Sequence, residues 1–242
     1  MSGITTTGAT IVGSHLGYTI EELPHGILFW RSFTQFIGGM GIILFTIAIL
    51  PILGAGGVQL FRAEVPGPTN DKFTPRIKET AKYLWGIYLG LILLQTTILC
   101  LEGFLFNLDK ITFFNALCHS MTTIGTAGFS TFNNSIMGFE SNIVSWTIIV
   151  FMLLGATNFS LHFLLMAKKS FEYFNDTEFR SYIFVILLFS FMTFVNISGI
   201  YGYTFKNFTA SLFNTVSLLT TTGYTLYDYG AWPAQSQLIV FF

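Results

Sequence analysis

Charge is scarce in this chain, and so is cysteine. Of 242 residues only 11 are Lys or Arg and 12 are Asp or Glu, which leaves a formal net charge of -1. There is no basic excess to hold nucleic acid and no acidic tail. The two cysteines, Cys100 and Cys118, lie in or beside apolar segments, so a disulfide scaffold is not expected. Met1 is followed at once by SGITTTGAT, without the basic and apolar regions of a signal peptide. No HExxH or GxSxG motif occurs, and the predicted spans hold no Asp, so intramembrane hydrolysis lacks its acid pair, metal motif and nucleophile. His119 and His162 have no carboxylate or cysteine at ligand spacing and read as buried hydrogen-bonding side chains, while Asn158 reads as glue between helices. The expectation is a protein that is not an enzyme and carries no cofactor.

What is abundant is apolar surface. Hydrophobic residues make up 52% of the chain, and phenylalanine occurs 28 times. Residues 27–53, 83–101, 143–166 and 179–200 each approach the roughly 20 residues that a helix needs to cross a bilayer core. Two further segments, 111–121 and 208–219, are apolar but half as long. At 1.5 Å per residue the first reaches about 16 Å, enough to enter a membrane and not to cross it. Gly38, Gly39 and Gly41 in the first span, and Gly86 and Gly90 in the second, are expected to let neighbouring backbones approach. The fold class is therefore an all-α polytopic membrane protein.

Each half-length segment runs into a Thr/Gly stretch. Residues 121–129 read MTTIGTAGF, residues 220–225 read TTTGYT, and a third copy, TTTGAT, stands at 5–10. Setting Gly125 against Gly223 aligns span, half-length helix, Thr/Gly stretch, polar loop and span. Phe114-Asn115 and Phe213-Asn214 then open the two half-helices at nearly equal distances from those glycines. One repeat is complete and two are partial: 1–60 as the end of the first, 61–175 as the second, 176–242 as the opening of the third. Non-helical backbone at membrane depth is tolerated where it is buried in protein or lines a watery cavity. A Thr-Thr-x-Gly segment suits the cavity, because glycine permits backbone angles that let carbonyls replace the hydration shell of a cation.

Charge sets the orientation. Eight of the eleven Lys and Arg residues fall in the connections 54–82 and 168–180, with Arg31, Lys110 and Lys206 elsewhere. The positive-inside rule makes those connections cytoplasmic and the Thr/Gly loops external. Glu21, Glu22, Glu102, Asp109, Glu140 and Asp228 share the outer side.

Residues 29–68 (FWRSFTQFIGGMGIILFTIAILPILGAGGVQLFRAEVPGP), 75–85 (PRIKETAKYLW) and 155–163 (GATNFSLHF) carry a resemblance. On these segments the chain resembles membrane subunits of the Trk/Ktr/HKT potassium transport superfamily, those of TrkH type above all. The resemblance implies four consecutive M1-P-M2 units around one pseudo-fourfold pore, each giving one filter segment. It implies filter positions Thr6, Thr7 and Gly8 in the first unit, Thr123, Ile124 and Gly125 in the second, and Thr221, Thr222 and Gly223 in the third. Glycine at these positions goes with potassium, and K+ would be the transported ion. A sodium-conducting or sodium-coupled relative is the alternative, and a structural or sensory membrane subunit a further one. The resemblance also implies a bacterial cytoplasmic (inner) membrane, lipid as the surrounding partner, a homodimer, and a cytoplasmic nucleotide-binding regulatory subunit of TrkA type. No helix precedes the first Thr/Gly copy and an apolar run is only starting at 238–242, so an internal fragment of a longer protein is expected.

The orientation is checked by single cysteines at Asn133 and Lys169 treated with a membrane-impermeant thiol reagent. The first is expected to be labelled from outside and the second only after the membrane is opened. Labelling of both from outside would reverse the assignment of Lys169.

Overall fold

The computed structural model describes residues 1–12, 17, 19–41, 77–168, 175–227, 230 and 232–241. All regular secondary structure among them is helical. The connection 54–76, the inner half of the span expected at 27–53, and 169–174 lie outside the described residues.

Helix α1, His25–Phe36, follows Pro24, whose fixed φ suits a helix start, and buries Leu28, Ser32 and Gln35 on one face. It does not run on unbroken. Residues Ile37–Gly41 form a wide turn in which Gly39 leaves helical geometry at ψ -125. Close approach is the reason. A Cβ on Gly38 would overlap the Ile4 carbonyl, and one on Gly39 would lie 2.8 Å from both the Gly125 Cα and the Tyr88 hydroxyl.

Helix α2, Ile77–Leu105, contains a 24-residue apolar stretch, Lys82–Leu105, long enough to cross a membrane. It buries Leu84, Tyr88, Ile92, Gln95 and Leu99, a helical stripe. Gly86 and Gly90 lie off that stripe with nothing within 4 Å of a Cβ placed on either, so the GxxxG expectation is not met among the described residues. Leu93 and Leu94 on the outer face are 62% and 52% exposed, an apolar surface that suits lipid.

Helix α3, Phe113–Ile124, starts where the Thr112 hydroxyl accepts the Asn115 amide and is only 12 residues long. Every residue from Cys118 to Ile124 is buried. The third span expected at 143–166 is two helices, α4 Asn142–Ala156 and α5 Phe159–Lys168, bent by 93°. Chain direction changes at Thr157, which is extended. Asn158 then starts α5, its side-chain oxygen accepting the Ser160 amide and its carbonyl the Leu161 amide. Its amide group also reaches Glu178 at 3.4 Å, a link to the following helix. Helix α6, Thr177–Tyr201, capped by Asp176, supplies a second straight 23-residue apolar stretch, Thr177–Gly199. Helix α7, Phe205–Leu219, repeats the cap of α3 with the Thr204 hydroxyl accepting the Asn207 amide, and α8 covers Ala234–Phe241.

The packing follows one plan. Helix α3 is walled by α1, α2 and α4, and helix α7 by α4, α6 and α8. Each half-length helix thus sits among a preceding long helix, a following one, and a helix from the stretch before. Backbone at the end of α3 or α7 is therefore enclosed by protein at membrane depth.

Stability measurements separate the two kinds of glycine. Gly38→Ala is expected to cost about 1–3 kcal/mol through forced overpacking, whereas Gly86→Ala is expected to be neutral or slightly stabilising. Thermal unfolding in detergent checks both. Equal midpoints would contradict the close contact at Gly38.

Candidate functional site

The three Thr/Gly copies each fold back through amide hydrogen bonds onto the turn before, two of the three bonds in the same register. In the first, the amides of Thr5, Thr6 and Thr7 donate to the carbonyls of Met1, Gly3 and Ser2 at 3.1, 3.2 and 3.1 Å. In the second, the amides of Gly125, Thr126 and Ala127 donate to Met121, Thr123 and Thr122 at 3.1, 3.0 and 3.0 Å. In the third, Thr220 and Thr221 donate to Val216 and Leu218 at 2.9 and 3.0 Å, and Gly223 donates to Ser217 at 3.1 Å. Position 5 thus corresponds to 125 and 220, and position 8 to 128 and 223.

Backbone angles repeat in the same register. Thr6 and Gly8 have φ of 52 and 69, Thr126 and Gly128 47 and 75, Thr221 and Gly223 58 and 79. A threonine at positive φ is costly, by about 1–2 kcal/mol, and persists only where the surroundings over-determine it. Three such threonines, each two residues before a glycine of positive φ, are a built feature.

The copies also touch in order. A Cβ on Gly8 would lie 2.5 Å from the Ala127 carbonyl oxygen, and one on Gly128 would overlap the Thr222 carbonyl oxygen. Each glycine faces the carbonyl just before the glycine of the next copy. Gly223 has nothing within 4 Å among the described residues.

Side chains fasten these contacts. Gln35, fully buried on α1, donates from Nε2 to the Ala127 carbonyl at 2.7 Å and accepts the Phe129 amide on Oε1 at 3.0 Å. Arg31, one turn earlier, lies 4.5 Å over the Phe129 ring and donates to the Thr10 hydroxyl at 3.1 Å. At the next boundary the buried Tyr224 hydroxyl bonds the Thr122 hydroxyl and reaches the His119 carbonyl at 3.2 Å. Behind the second copy, His119 bonds the Asn115 carbonyl through Nδ1 at 2.8 Å and Ser130 Oγ through Nε2 at 2.9 Å. The carbonyl needs a donor, so Nδ1 carries the proton and Nε2 accepts from Ser130 in the neutral ring. His119 is thus a buried hydrogen-bonding residue, as expected, and His162 is buried with Nε2 3.0 Å from the Leu154 carbonyl.

Thr6, Thr7 and Gly8 and Thr221, Thr222 and Gly223 occupy matching places in this geometry. Thr123, Ile124 and Gly125 do not. Thr123 and Ile124 are buried in the last turn of α3, the Thr123 hydroxyl donates to the His119 carbonyl at 2.7 Å, and Gly125 is the helix cap at φ -73. The segment that matches is Thr126, Ala127 and Gly128. Sequence reasoning passed over it because TTIGTAGF contains two Thr-x-Gly frames. The pairing of Asn115 with Asn214 favoured the first. By cap geometry Asn115 corresponds to Asn207: each takes its threonine cap and each donates a side-chain amide to a carbonyl five residues back, Lys110 and Gly202. Helix α7 is three residues longer than α3, 15 against 12, which shifts the count. The two residues after the glycine are a usable signal: Gly8-Ala-Thr, Gly128-Phe-Ser and Gly223-Tyr-Thr each end in a hydroxyl residue, whereas Gly125 is followed by Thr-Ala.

Four of the carboxylates expected on the outer side have partners within the protein. Glu22 accepts the Thr19 amide, Glu21 the Asn133 amide at 2.7 Å, Glu102 bonds the Thr147 hydroxyl, and Glu140 pairs with Lys110 at 2.7 Å. Among the described residues no three His, Cys, Asp or Glu side chains converge as metal ligands.

Comparison with known proteins places this geometry. The TrkH family, described as cation transport protein, matches residues 1–242. A Trk system potassium uptake protein TrkH from Vibrio parahaemolyticus is 43% identical over 247 residues, covering 100% of this chain and 48% of that protein. Trk system potassium uptake proteins TrkH and TrkG of Escherichia coli are 42% and 36% identical, covering 96% and 98% of this chain and 46% and 47% of theirs. The crystal structure of the potassium transporter TrkH from Vibrio parahaemolyticus is similar with a TM-score of 0.78 at 38% identity, over 99% of this chain and 46% of that one. The chain spans about half the length of the curated relatives it matches. Its apolar helices and this kinship make it a membrane protein of all-α transporter fold.

Proposed function

Because the chain belongs to the TrkH family of cation transport proteins, we propose that it forms part of a potassium uptake pathway across the bacterial cytoplasmic membrane. Three of its backbone segments would be quarters of a selectivity filter. The observation that carries this reading is the pair of positive-φ residues that recurs in the same register in all three copies, with Gly8 and Gly128 each set against a carbonyl of the next copy. Backbone whose φ alternates in sign turns carbonyls toward one side, and rings of carbonyls replace the hydration shell of an alkali ion. The filter positions are Thr6, Thr7 and Gly8, then Thr126, Ala127 and Gly128, then Thr221, Thr222 and Gly223. This reading moves the second segment three residues along from Thr123, Ile124 and Gly125. The open side of Gly223 would receive a fourth segment from the length that the relatives have beyond this chain.

The half-helices α3 and α7 point their C-terminal ends at these segments, where the helix dipole favours a cation. The units are 1–60, 61–175 and 176–242, around a pseudo-fourfold axis. Transport needs no covalent chemistry and no cofactor, since the potential and the K+ gradient drive the ion. Filter loops face outside and 54–82 and 168–180 face the cytoplasm, in line with the Lys and Arg distribution. The relatives are named as members of a Trk system, which supports assembly with other components. A homodimer and a nucleotide-binding subunit of TrkA type are the partners we propose.

Two glycine variants decide the register in a potassium-uptake-deficient strain expressing the protein that carries this chain. Gly128→Ala places a side chain at positive φ, a cost of about 1–2 kcal/mol before its overlap with Thr222, and is expected to lower K+ uptake about tenfold or more. Gly125→Ala, at φ -73 but with the Met121 and Gln35 carbonyl oxygens 3.0 and 3.1 Å from the added Cβ, is expected to lose less. The opposite ranking at equal membrane abundance would return the filter to 123–125.

A further inference from the structure

The two boundaries between Thr/Gly copies are braced by different chemistry. At the second boundary the brace is a phenol: Tyr224, directly after Gly223, bonds the end of α3. At the first boundary the equivalent residue is Phe129, which has no hydroxyl. There the brace comes from the helix side, where the Gln35 carboxamide grips two backbone groups of one segment, the Ala127 carbonyl at 2.7 Å and the Phe129 amide at 3.0 Å. A primary amide offers a donor and an acceptor side by side in this way. Asn is one methylene shorter, and Glu has no donor for the Ala127 carbonyl when ionised. Gln35 has no exposed surface, so no water replaces a lost bond from the outside.

No counterpart stands in the following unit. Gly38 faces the Ile4 carbonyl as Gly155 faces the Ile124 carbonyl, which aligns α1 with α4 and places Met152 where α1 has Gln35. Methionine bonds no backbone group there, yet it fills a comparable place in a buried helix face. The amide is thus not a packing requirement of that site.

The Ala127 carbonyl lies just before Gly128, against Gly8 of the neighbouring copy. In the filter proposed above, on which this inference rests, that carbonyl borders the ion path. We propose that Gln35 is a positioning residue for ion selectivity: it holds the Ala127 carbonyl toward the neighbouring unit and fixes the 127–129 backbone. Released from the amide, the carbonyl is free to turn toward the axis, and the ring gains a mobile ligand that closes around a smaller ion. Discrimination against Na+ weakens while the fold stands. The selectivity of the pathway is then set unequally around the ring, most tightly where the first and second units meet.

The test measures the K+/Na+ permeability ratio of Gln35→Met and Gln35→Glu in proteoliposomes, at matched amounts of the protein that carries this chain. Gly128→Ala serves as reference. Gln35→Met is expected to lower the ratio about five- to tenfold, the worth of one buried hydrogen bond. Gln35→Glu, which desolvation keeps neutral at a site with no exposed surface, retains the acceptor for Phe129 and a donor for the Ala127 carbonyl and is expected to hold the ratio near that of the unaltered protein. A merely structural residue would reduce abundance and leave the ratio alone. A ratio unchanged in inserted Gln35→Met, or lowered as far by Gln35→Glu, with Gly128→Ala altered, overturns the role of Gln35. A ratio unchanged in all three overturns the filter reading itself, and this inference with it.

Discussion

Backbone that leaves a helix inside a membrane has no water to turn to, and every amide and carbonyl it frees must be met by protein or by an ion. That constraint organises this chain. Helices α3 and α7 stop halfway, and the residues after them are held by amides folded back onto the last helical turn. The groups those bonds leave over are met by neighbours: the Gln35 carboxamide, the Tyr224 phenol, and a carbonyl of each following copy packed against a glycine of the one before.

The long helices are shaped by the same demand. Helix α1 is wound wide and loses helical geometry at Gly39, and α4 breaks at Thr157. These are corresponding places, one or two residues past the glycines that lie under the Ile4 and Ile124 carbonyls. A helix that passes so close beneath backbone cannot carry side chains at the contact, and it departs from regular geometry just after it. The cost of irregular backbone in the Thr/Gly segments is thus spread into the helices that support them. The positive φ of Thr6, Thr126 and Thr221 shows that it is not wholly relieved.

Much of this was legible in the residues. Apolar runs of two lengths separate spanning helices from half-length ones, and the Thr/Gly copies mark where the latter end. The kinship with potassium transport subunits rests on long stretches such as 29–68 and agrees with the family found across the chain. Three things were not legible. The frame of the second copy depends on the sign of φ at Thr126 and Gly128, which a sequence offering Thr123-Ile124-Gly125 and Thr126-Ala127-Gly128 side by side does not reveal. The bend between α4 and α5 lies inside an apolar run, and hydropathy is blind to the cap that Asn158 makes. The role of Gln35 leaves no local signal, because its partners are 92 and 94 residues away. Gly86 and Gly90 erred in the other direction. Their spacing is that of a packing motif, but the stripe through Tyr88 and Ile92 took the buried face.

The central claim is that the segments 6–8, 126–128 and 221–223 surround one ion path. Anomalous diffraction from crystals of the protein that carries this chain, grown with Rb+ in place of K+, tests it most directly. The account predicts an anomalous peak within coordination distance of backbone oxygens from all three segments, with the Gln35 amide still on Ala127. A peak bound instead by residues 123–125, or lying away from these segments, would contradict it.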